Sequence, residues 1–273
     1  MTLLVDVGNT RLKWRWLEGP GGEPLDGVLP LKDLNTATLV HTLAAQFAAG
    51  WGGRPEPCDA MLSCVADEDI ANAVAEAARL LGCLPYRMQP ASEACGVRNG
   101  YVQPELLGVD RWLGLVAARS LRHGPACIVG VGTALTVDLL DAEGQHHGGL
   151  LVPGPELMHQ ALVTRTARIG AAARQAEPQV KAGLGVNTAG AMQEGGLLAA
   201  AALAVRAATD FAERSGAPVW LCLTGGGAEA VAERLPLKAK WPAGLAGIAV
   251  QPDLVLQGLA TMAAAQRAGL RHY

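Results

Sequence analysis

The sequence predicts a duplicated α/β fold, in which two similar halves each begin with a β-hairpin. Segment 5–10 reads VDVGNT, an apolar strand that delivers Asp6 to a turn of small residues. Segment 129–133 reads VGVGT and repeats this design, with one residue fewer in the turn. Strand-like and helix-like segments alternate through the rest of the chain, which is typical of βαβ units and a mainly parallel sheet. We therefore expect an N-terminal domain over residues 1–123 and a C-terminal domain over residues 124–273.

The first half is predicted to continue from its hairpin into alternating helices and strands. The second hairpin strand runs to a polar reversal at residues 18–22, and residues 50–57 form a loop rich in Gly, Pro and Trp. The other elements follow from the spacing of apolar residues. They are a helix over 31–49, a strand over 60–65, a helix over 67–81, a strand over 84–88, a loop over 89–104 and a helix from Asp110 to His123.

The second half begins after Gly124 and Pro125, which form the clearest boundary in the chain. Three glycines inside its longest predicted helix, Gly190, Gly195 and Gly196, each cost about 1 kcal/mol relative to Ala. They indicate close packing of another backbone, either from a dimer mate or from the same chain. The predicted elements are a hairpin over 127–138, a reversal at 141–144, a strand over 145–152, a helix over 153–167, a connection over 168–185, a helix over 188–215, a strand over 219–223, a short helix over 226–235 and a closing helix over 252–268.

Composition argues against several classes of function. Half of the residues are apolar and 17% are charged, so the chain is expected to fold. The net charge of −3, without a basic stripe, argues against nucleic acid as a partner. We see no secretory signal, and the uncharged stretches fall short of the roughly 20 apolar residues that span a bilayer. The six cysteines show neither CxxC nor zinc-like spacing, so we expect reduced thiols in a cytoplasmic protein with no membrane association.

The first hairpin carries residues suited to phosphate chemistry. Gly8 lets backbone N–H groups approach a phosphate closely, and Asn9 tolerates the left-handed turn conformation. Thr10 and Lys13 add a hydroxyl and an ammonium group. A carboxylate beside phosphate would repel it, so Asp6 is interpreted as a ligand of Mg²⁺ or of its bound water. An ordinary hairpin with a polar turn is the alternative, and the second copy favours a nucleotide held in a cleft between two halves.

A second candidate site lies at the predicted start of the helix at Asp110. Gly108 permits a tight turn, and the positive end of the helix dipole favours an ionised Asp110. This carboxylate is either a helix N-cap or a general base aimed at a substrate hydroxyl. Arg111 either binds an anionic group with its guanidinium fork or forms a surface ion pair.

The motifs resemble, in their order along residues 3–259, those of the type III pantothenate kinase family, which also includes Bvg accessory factor (Baf) proteins. Each motif is short, and the ordered set is specific. The motifs are Asp6 to Lys13, GVDRW at 108–112, GTALTVD at 132–138, GGLLVPG at 148–154, Asn187 with Thr188, TGGGA at 224–228 and PDLVLQGL at 252–259.

This resemblance implies an acetate-and-sugar-kinase/actin-type fold built from two ribonuclease-H-like domains. It implies ATP-dependent phosphorylation of pantothenate to 4′-phosphopantothenate, the first step of coenzyme A synthesis, by a homodimer that uses Mg²⁺ and a monovalent cation, K⁺ or NH₄⁺. The implied catalytic residues are Asp110, Asp6 and Lys13. The implied nucleotide-binding residues are Asp6, Gly8, Asn9, Thr10, Lys13, Gly132, Thr133, Gly225 and Gly226, and the implied pantothenate-binding residues are Tyr101, Gly108, Val109, Asp110, Arg111 and Thr188.

The chain departs from the family pattern at Gly130, where family members commonly carry an Asp associated with the monovalent cation. A glycine offers only its backbone carbonyl, and Asp138 is the nearby residue that could compensate. The departure also motivates a second hypothesis, an accessory or regulatory protein that binds nucleotide or pantothenate without turnover. A third hypothesis is another small-molecule kinase or a phosphohydrolase on the same scaffold.

Overall fold

A computed structural model of the chain describes residues 1–17, 25–31, 38–49, 58–236 and 241–269. The predicted reversal at 18–22 and the predicted loop at 50–57 lie outside these residues. The chain divides into two compact units. Unit 1 comprises Met1–Arg122 and Leu254–Tyr273, and unit 2 comprises His123–Asp253.

Unit 1 is built on a five-stranded sheet with the order β3-β2-β1-β4-β5. The first three strands pair antiparallel, whereas β4 and β5 extend the sheet in parallel. The elements are β1 (Thr2–Val7), β2 (Arg11–Leu17), β3 (Leu25–Pro30), α1 (Leu39–Ala48), β4 (Cys58–Cys64), α2 (Glu68–Leu80), β5 (Cys83–Arg87), a small hairpin of β6 (Glu93–Ala94) and β7 (Val97–Arg98), and α3 (Val109–Leu121).

The two faces of the unit 1 sheet have separate cores, because successive side chains of a strand point to opposite faces. Leu3 and Val5 of β1 pack with Phe47 of α1 in one buried cluster. Leu4, between them, joins a second cluster on the opposite face that includes Leu113 of α3. Asp6 follows Leu4 by two residues and therefore lies on the α3 face of the sheet.

Unit 2 repeats the same sheet, with the order β10-β9-β8-β13-β14. Its first three strands again pair antiparallel and its last two in parallel. The predicted duplication is therefore confirmed in topology. The elements are β8 (Ala126–Val131), β9 (Ala134–Leu140), β10 (His146–Pro153), α4 (Pro155–Arg165), α5 (Ala167–Arg174), β11 (Val180–Lys181), β12 (Leu184–Gly185), α6 (Thr188–Ser215), β13 (Val219–Thr224), α7 (Ala228–Ala232) and β14 (Leu245–Val250).

Helix α6 is long and apolar enough to cross a membrane by length and composition alone. It is instead the core helix of unit 2, since Ala200, Ala204 and Phe211 lie in the main buried cluster with strands β8 and β13. A Cβ at Gly190 would lie 2.2 Å from the carbonyl oxygen of Gln179, so this glycine is required by packing within the unit.

The closing helix α8 (Leu254–Arg267) belongs to unit 1, which differs from the expected domain of residues 124–273. It packs backbone to backbone on α3, because a Cβ at Gly258 would lie 2.2 Å from the carbonyl oxygen of Leu113. Its last turn is tied to β1 by a hydrogen bond from Arg267 to the Thr2 hydroxyl.

Several local predictions require correction. The predicted connection over 168–185 contains most of α5 and the β11–β12 ribbon, and Thr166 interrupts the predicted helix over 153–167 with an extended backbone. The prediction of reduced thiols is wrong for Cys58 and Cys83, which form a disulfide. The two cysteines are direct neighbours across β4 and β5, a proximity that comes from strand pairing and leaves no local spacing signal.

Candidate active site

A row of three polar side chains crosses the middle of the unit 1 sheet. Asp6 of β1 lies directly opposite Lys13 of β2 on one side and Ser63 of β4 on the other. Directly paired residues point to the same face of a sheet, so all three side chains lie on the α3 face. The predicted association of Asp6 with Lys13 thus arises from hairpin register, whereas Ser63 was not singled out in the sequence.

Asp6 is electrostatically perturbed in this position. Burial and, less strongly, the negative charge of Asp110 together raise the pKa of its carboxyl group from 3.8 to about 7. The Ser63 hydroxyl and the Lys13 ammonium group oppose this rise. Because Asp110 acts on the titration of Asp6, the structure brings these two predicted carboxylates into one electrostatic site.

The turn between β1 and β2 presents the small residues of the predicted phosphate hairpin. The N–H of Gly8 donates to the carbonyl of Arg11 at 3.0 Å and closes the turn. Asn9 and Thr10 are exposed at its tip, and the carbonyl of Thr10 accepts from Leu31. The turn is therefore held by backbone bonds, which leaves its tip accessible to a ligand.

Helix α3 places Asp110 in its first turn and makes Gly108 its N-cap residue. The interpretation of Asp110 as the N-cap is therefore wrong. A Cβ at Gly108 would lie 2.7 Å from Oδ1 of Asp110, so the carboxylate folds over this glycine and requires its lack of a side chain. Val109, a predicted substrate residue, is buried in the core with Leu4, which leaves only its backbone for a ligand.

Tyr101 and Arg111 form a second pair near the start of α3. Nη1 of Arg111 donates to the Tyr101 hydroxyl at 2.7 Å, and its guanidinium carbon lies 5.4 Å from the ring centroid. Asn99 holds the loop that carries Tyr101, since its amide donates to the carbonyls of Ala91 and Pro104 and its Oδ1 accepts from the N–H of Tyr101. Sequence reasoning missed this role of Asn99, although Asn before Gly is a common turn signal.

In unit 2 the turn between β8 and β9 is enclosed by glycine backbones. The N–H of Gly154 donates to the carbonyl of Thr133 at 2.8 Å, and the N–H of Gly227 donates to the carbonyl of Val131 at 3.0 Å. Gly225 has a φ of +95°, and a Cβ there would lie 2.5 Å from the Val131 carbonyl oxygen. The structure thus brings Gly225 and Gly226 next to the turn that contains Gly132 and Thr133. These four residues are the ones predicted to bind nucleotide in this unit, and all four are exposed.

We expect Gly154→Ala to destabilise the protein by about 1–3 kcal/mol, the usual cost of overpacking. The added methyl group would lie 2.0 Å from the carbonyl oxygen of Gly132, so the turn must shift. Gly195→Ala is the matched control, because no atom lies within 4 Å of a Cβ on this helical glycine. Alanine should stabilise that position by about 0.5–1 kcal/mol. Chemical denaturation of both variants measures the two free energies of unfolding, and a loss of equal size in both would contradict the packing argument.

Thr188, predicted to bind substrate, lies at the first position of α6. Its neighbour Asn187 is the N-cap, and its side chain accepts from the N–H of Gly190 at 2.8 Å. Thr188 lines an apolar groove of about 460 Å³ formed by helices α4, α5 and α6. The other lining residues are Met158, Leu162, Ile169, Ala191, Met192, Gly195 and Gly196.

The residues fit a divalent cation of the Mg²⁺ type. The described residues include no group of three or more His, Cys, Asp and Glu side chains that could hold a metal ion by themselves. Mg²⁺ characteristically takes one or two carboxylates and completes its shell with water and substrate phosphates. Asp6 supplies such a carboxylate on the α3 face, and a cation beside it would offset the burial and the negative charge of Asp110 that raise its pKa.

Comparison with known sequences identifies one family. The family model for "Type III pantothenate kinase" matches residues 2–210 of this chain. A type III pantothenate kinase from Azoarcus sp. (strain BH72) is 37% identical over 270 residues, which cover 98% of this chain and 92% of that protein.

Comparison with solved structures shows the fold. A structure described as a 2-dehydro-3-deoxygalactonokinase protein from Sinorhizobium meliloti has a TM-score of 0.55 at 17% identity and covers 98% of this chain and 99% of its own. A structure described as a conserved Baf family transcriptional activator from Campylobacter jejuni has a TM-score of 0.50 at 15% identity, covering 97% and 99% respectively. The fold is the acetate-and-sugar-kinase/actin-type fold, as predicted.

Proposed function

The chain belongs to the type III pantothenate kinase family, and we propose on this premise how its residues carry the reaction. The enzyme phosphorylates pantothenate with ATP to give 4′-phosphopantothenate, the first step of coenzyme A biosynthesis. The observation that supports the assignment of residues is the grouping of Asp6, Lys13 and Asp110 on the α3 face of unit 1.

In unit 1 we assign the phosphate and metal chemistry to the β1–β2 hairpin. Asp6 would hold Mg²⁺ directly or through a bound water, and Mg²⁺ would neutralise charge on the phosphates. Lys13, directly opposite Asp6, would place an ammonium group beside the transferring phosphoryl group. Gly8, Asn9 and Thr10 would donate backbone and side-chain hydrogen bonds to phosphate oxygens from the accessible tip of the turn.

Asp110 is assigned as the general base for the pantothenate hydroxyl. Its place in the first turn of α3 puts it at the positive end of the helix dipole, which favours the carboxylate. Gly108 lets this carboxylate lie over the turn, and Asp110 is half-buried, so part of it stays accessible to a substrate. A base within hydrogen-bond reach of the hydroxyl contributes about 10²–10⁴-fold to the rate.

We assign pantothenate binding in unit 1 to Tyr101, Gly108, Val109 and Arg111, in addition to Asp110. The Arg111 guanidinium, oriented by the Tyr101 hydroxyl, matches a carboxylate, and pantothenate carries one. In unit 2 Thr188 is assigned to the same substrate, supported by its place in the groove of α4, α5 and α6.

Arg111→Lys is expected to raise KM for pantothenate about tenfold with a small effect on kcat, because Lys lacks the planar fork that binds a carboxylate through two bonds. The substitution also removes the hydrogen bond to Tyr101 that orients the group. Arg79→Lys on α2 is the control, since the Arg79 side chain lies at the surface in an exposed ion pair with Glu76. Steady-state kinetics with varied pantothenate would measure both, and an unchanged KM in Arg111→Lys would contradict carboxylate binding.

In unit 2 we assign nucleotide contacts to Gly132 and Thr133 of the β8–β9 turn and to Gly225 and Gly226. The support is their shared position: the glycine run is hydrogen-bonded to the strand that leads into this turn. Glycines at such a turn let the backbone approach a phosphate or a nucleoside without interference from side chains.

We also propose a cytoplasmic homodimer that acts on ATP and pantothenate and has neither nucleic acid nor membrane partners. Apolar side chains remain exposed on the three helices around the unit 2 groove, among them Leu162, Ile169 and Leu198. A contiguous exposed apolar surface marks an interaction site in a soluble protein. Sedimentation velocity over a range of concentrations tests the dimer, and a monomer throughout that range would contradict it.

The function is tested by incubating the purified protein with ATP, Mg²⁺ and pantothenate and detecting 4′-phosphopantothenate by mass spectrometry. Product is expected, and its rate should rise with pantothenate to saturation. A folded protein that binds nucleotide and forms no product would favour an accessory role. Phosphorylation of other small hydroxyl compounds in preference to pantothenate would favour a different kinase on this scaffold.

A further inference from the structure

The two units carry equivalent rows of residues at equivalent places in their sheets. In unit 1, Asp6 on the central strand pairs with a residue of the hairpin partner, Lys13, and one of the parallel strand, Ser63. In unit 2, Gly130 on the central strand pairs in the same way with Thr136 and Thr224. The duplication therefore places Gly130 where unit 1 has the carboxylate of Asp6, and the unit 2 row contains no charged side chain.

The space above Gly130 is already taken by a neighbouring hydroxyl. A Cβ at Gly130 would lie 2.5 Å from Oγ1 of Thr136, well inside contact distance. Gly130, Thr136 and Thr224 are all half-buried, so water does not fully surround this row. In this packing the Thr136 hydroxyl occupies the place that a side chain at position 130 would take.

Asp138 does not supply the missing charge at this point. It lies on the same face of β9 as Thr136, two residues further along, and pairs across the sheet with Ile128 rather than with Gly130. Its Oδ1 lies 3.0 Å from Nε2 of His146, and both side chains are buried. The expected compensation by Asp138 is therefore opposed by its partnership with His146.

A cation at the Gly130 row would be held by hydroxyl and carbonyl oxygens with no adjacent carboxylate. Removing an ion from water is costly unless it is paired with a charge or fully coordinated. Neutral oxygens hold K⁺ when they form a complete ring around it, whereas this row offers two threonine hydroxyls beside the backbone of paired strands. The residues present thus do not fit the monovalent cation that the family resemblance implies.

We infer that this row binds no monovalent cation and that this kinase phosphorylates pantothenate without activation by K⁺ or NH₄⁺. The inference rests on the proposed assignment of the β8–β9 turn to the nucleotide. Two residues exclude the cation from this row. Thr136 fills the space with its hydroxyl group, and Gly130 lacks the carboxylate.

The first test uses the wild-type enzyme with ATP and pantothenate supplied as tetramethylammonium salts and Mg²⁺ as chloride. Initial rates with added KCl, NH₄Cl or tetramethylammonium chloride at equal ionic strength should agree within about twofold, and so should KM for ATP. A saturable activation of tenfold or more by K⁺ or NH₄⁺, on the order of 1.4 kcal/mol or more of coupling, would overturn the inference.

The second test places a carboxylate at position 130 and removes the Thr136 hydroxyl group that occupies its space. Gly130→Asp combined with Thr136→Ala should gain a saturable dependence of KM for ATP on K⁺, and K⁺ should raise its thermal midpoint relative to tetramethylammonium. Thr136→Ala alone should gain neither response, because it makes room without adding charge. Gly130→Asp alone should be less stable than the double variant, since its Cβ meets the Thr136 hydroxyl. A folded double variant with no response to K⁺ in either measurement would contradict the assignment of this row.

The outcomes separate this inference from the function itself. Product formed with tetramethylammonium as the sole monovalent cation, at a rate within about twofold of that with K⁺ or NH₄⁺, supports both. Product formed only with K⁺ or NH₄⁺ leaves the kinase assignment intact and overturns the inference. No product in any salt, from a protein shown to be folded, overturns both.

Discussion

Asp110→Asn is expected to bind ATP normally and to lose about 10²–10⁴-fold of its turnover. The amide keeps the size and most of the hydrogen-bonding shape of the carboxylate but cannot accept the proton of the pantothenate hydroxyl. The helix should remain intact, because Gly108 and not Asp110 is its N-cap. The loss should therefore appear in kcat, with KM for ATP unchanged and with only a small change in the free energy of unfolding.

Asp69→Asn provides a close control for this substitution. Asp69 lies in the first turn of α2, as Asp110 does in α3, so both changes remove the same charge from the same position of a helix in unit 1. Asp69 is exposed and is assigned no role in the reaction. Stopped-time assays of product, with ATP binding measured by calorimetry, should separate the two variants. Turnover by Asp110→Asn at the level of Asp69→Asn would remove Asp110 as the base.

The parts of the fold that the sequence predicts best are those set by local patterns. The two hairpins and α6 follow from apolar runs, turn glycines and helical composition, and the structure has them at the predicted places. Helix α8 was predicted as a helix and placed in the wrong half, because its partner is decided by packing. Gly258 allows it to approach α3, and no local pattern reports that contact across more than a hundred residues.

The candidate site shows the same division between local and long-range signals. Asp6 and Lys13 were predicted together because a single hairpin pairs them. Ser63 joins their row through the pairing of β1 with β4, which no local sequence pattern indicates. The proximity of Asp110 to Asp6 likewise depends on α3 packing over the sheet, and the disulfide of Cys58 with Cys83 depends on the register of β4 with β5.

Asp6→Asn is expected to lose Mg²⁺-dependent activity and at the same time to stabilise the ligand-free protein. Burial and the charge of Asp110 raise the pKa of Asp6 from an ordinary 3.8 to about 7. Folding therefore favours the protonated form, and ionising Asp6 in the folded state costs free energy. Each tenfold change in an acid dissociation constant is worth about 1.4 kcal/mol, so the cost reaches about 4 kcal/mol at its upper limit.

The sign and the pH range of this effect follow from linkage. Well below pH 4 the carboxyl group is protonated in both the folded and the unfolded states, so Asn should give no gain there. Between pH 4 and 7 the unfolded state loses its proton first, and the wild-type protein loses stability relative to the variant. Above pH 7 both states are ionised, and the gain should stay constant at its maximum. Denaturation curves from pH 4 to 8 would measure this profile.

Asp26→Asn separates the effect of burial from that of removing any carboxylate. Asp26 lies on β3 of the same sheet and forms an exposed ion pair with Arg15. Exposed pairs contribute about 0–1 kcal/mol, so this variant should be unchanged or slightly less stable at every pH.

The activity of the wild-type enzyme at limiting Mg²⁺ should fall about tenfold for each pH unit below 7, since a proton then competes with the metal for Asp6. An Asp6→Asn variant with unchanged stability at pH 8 and unchanged Mg²⁺ dependence would show that this carboxylate is neither strained by burial nor a metal ligand. A gain in stability together with lost activity would instead show that the enzyme keeps a costly half-buried carboxylate because the reaction needs it.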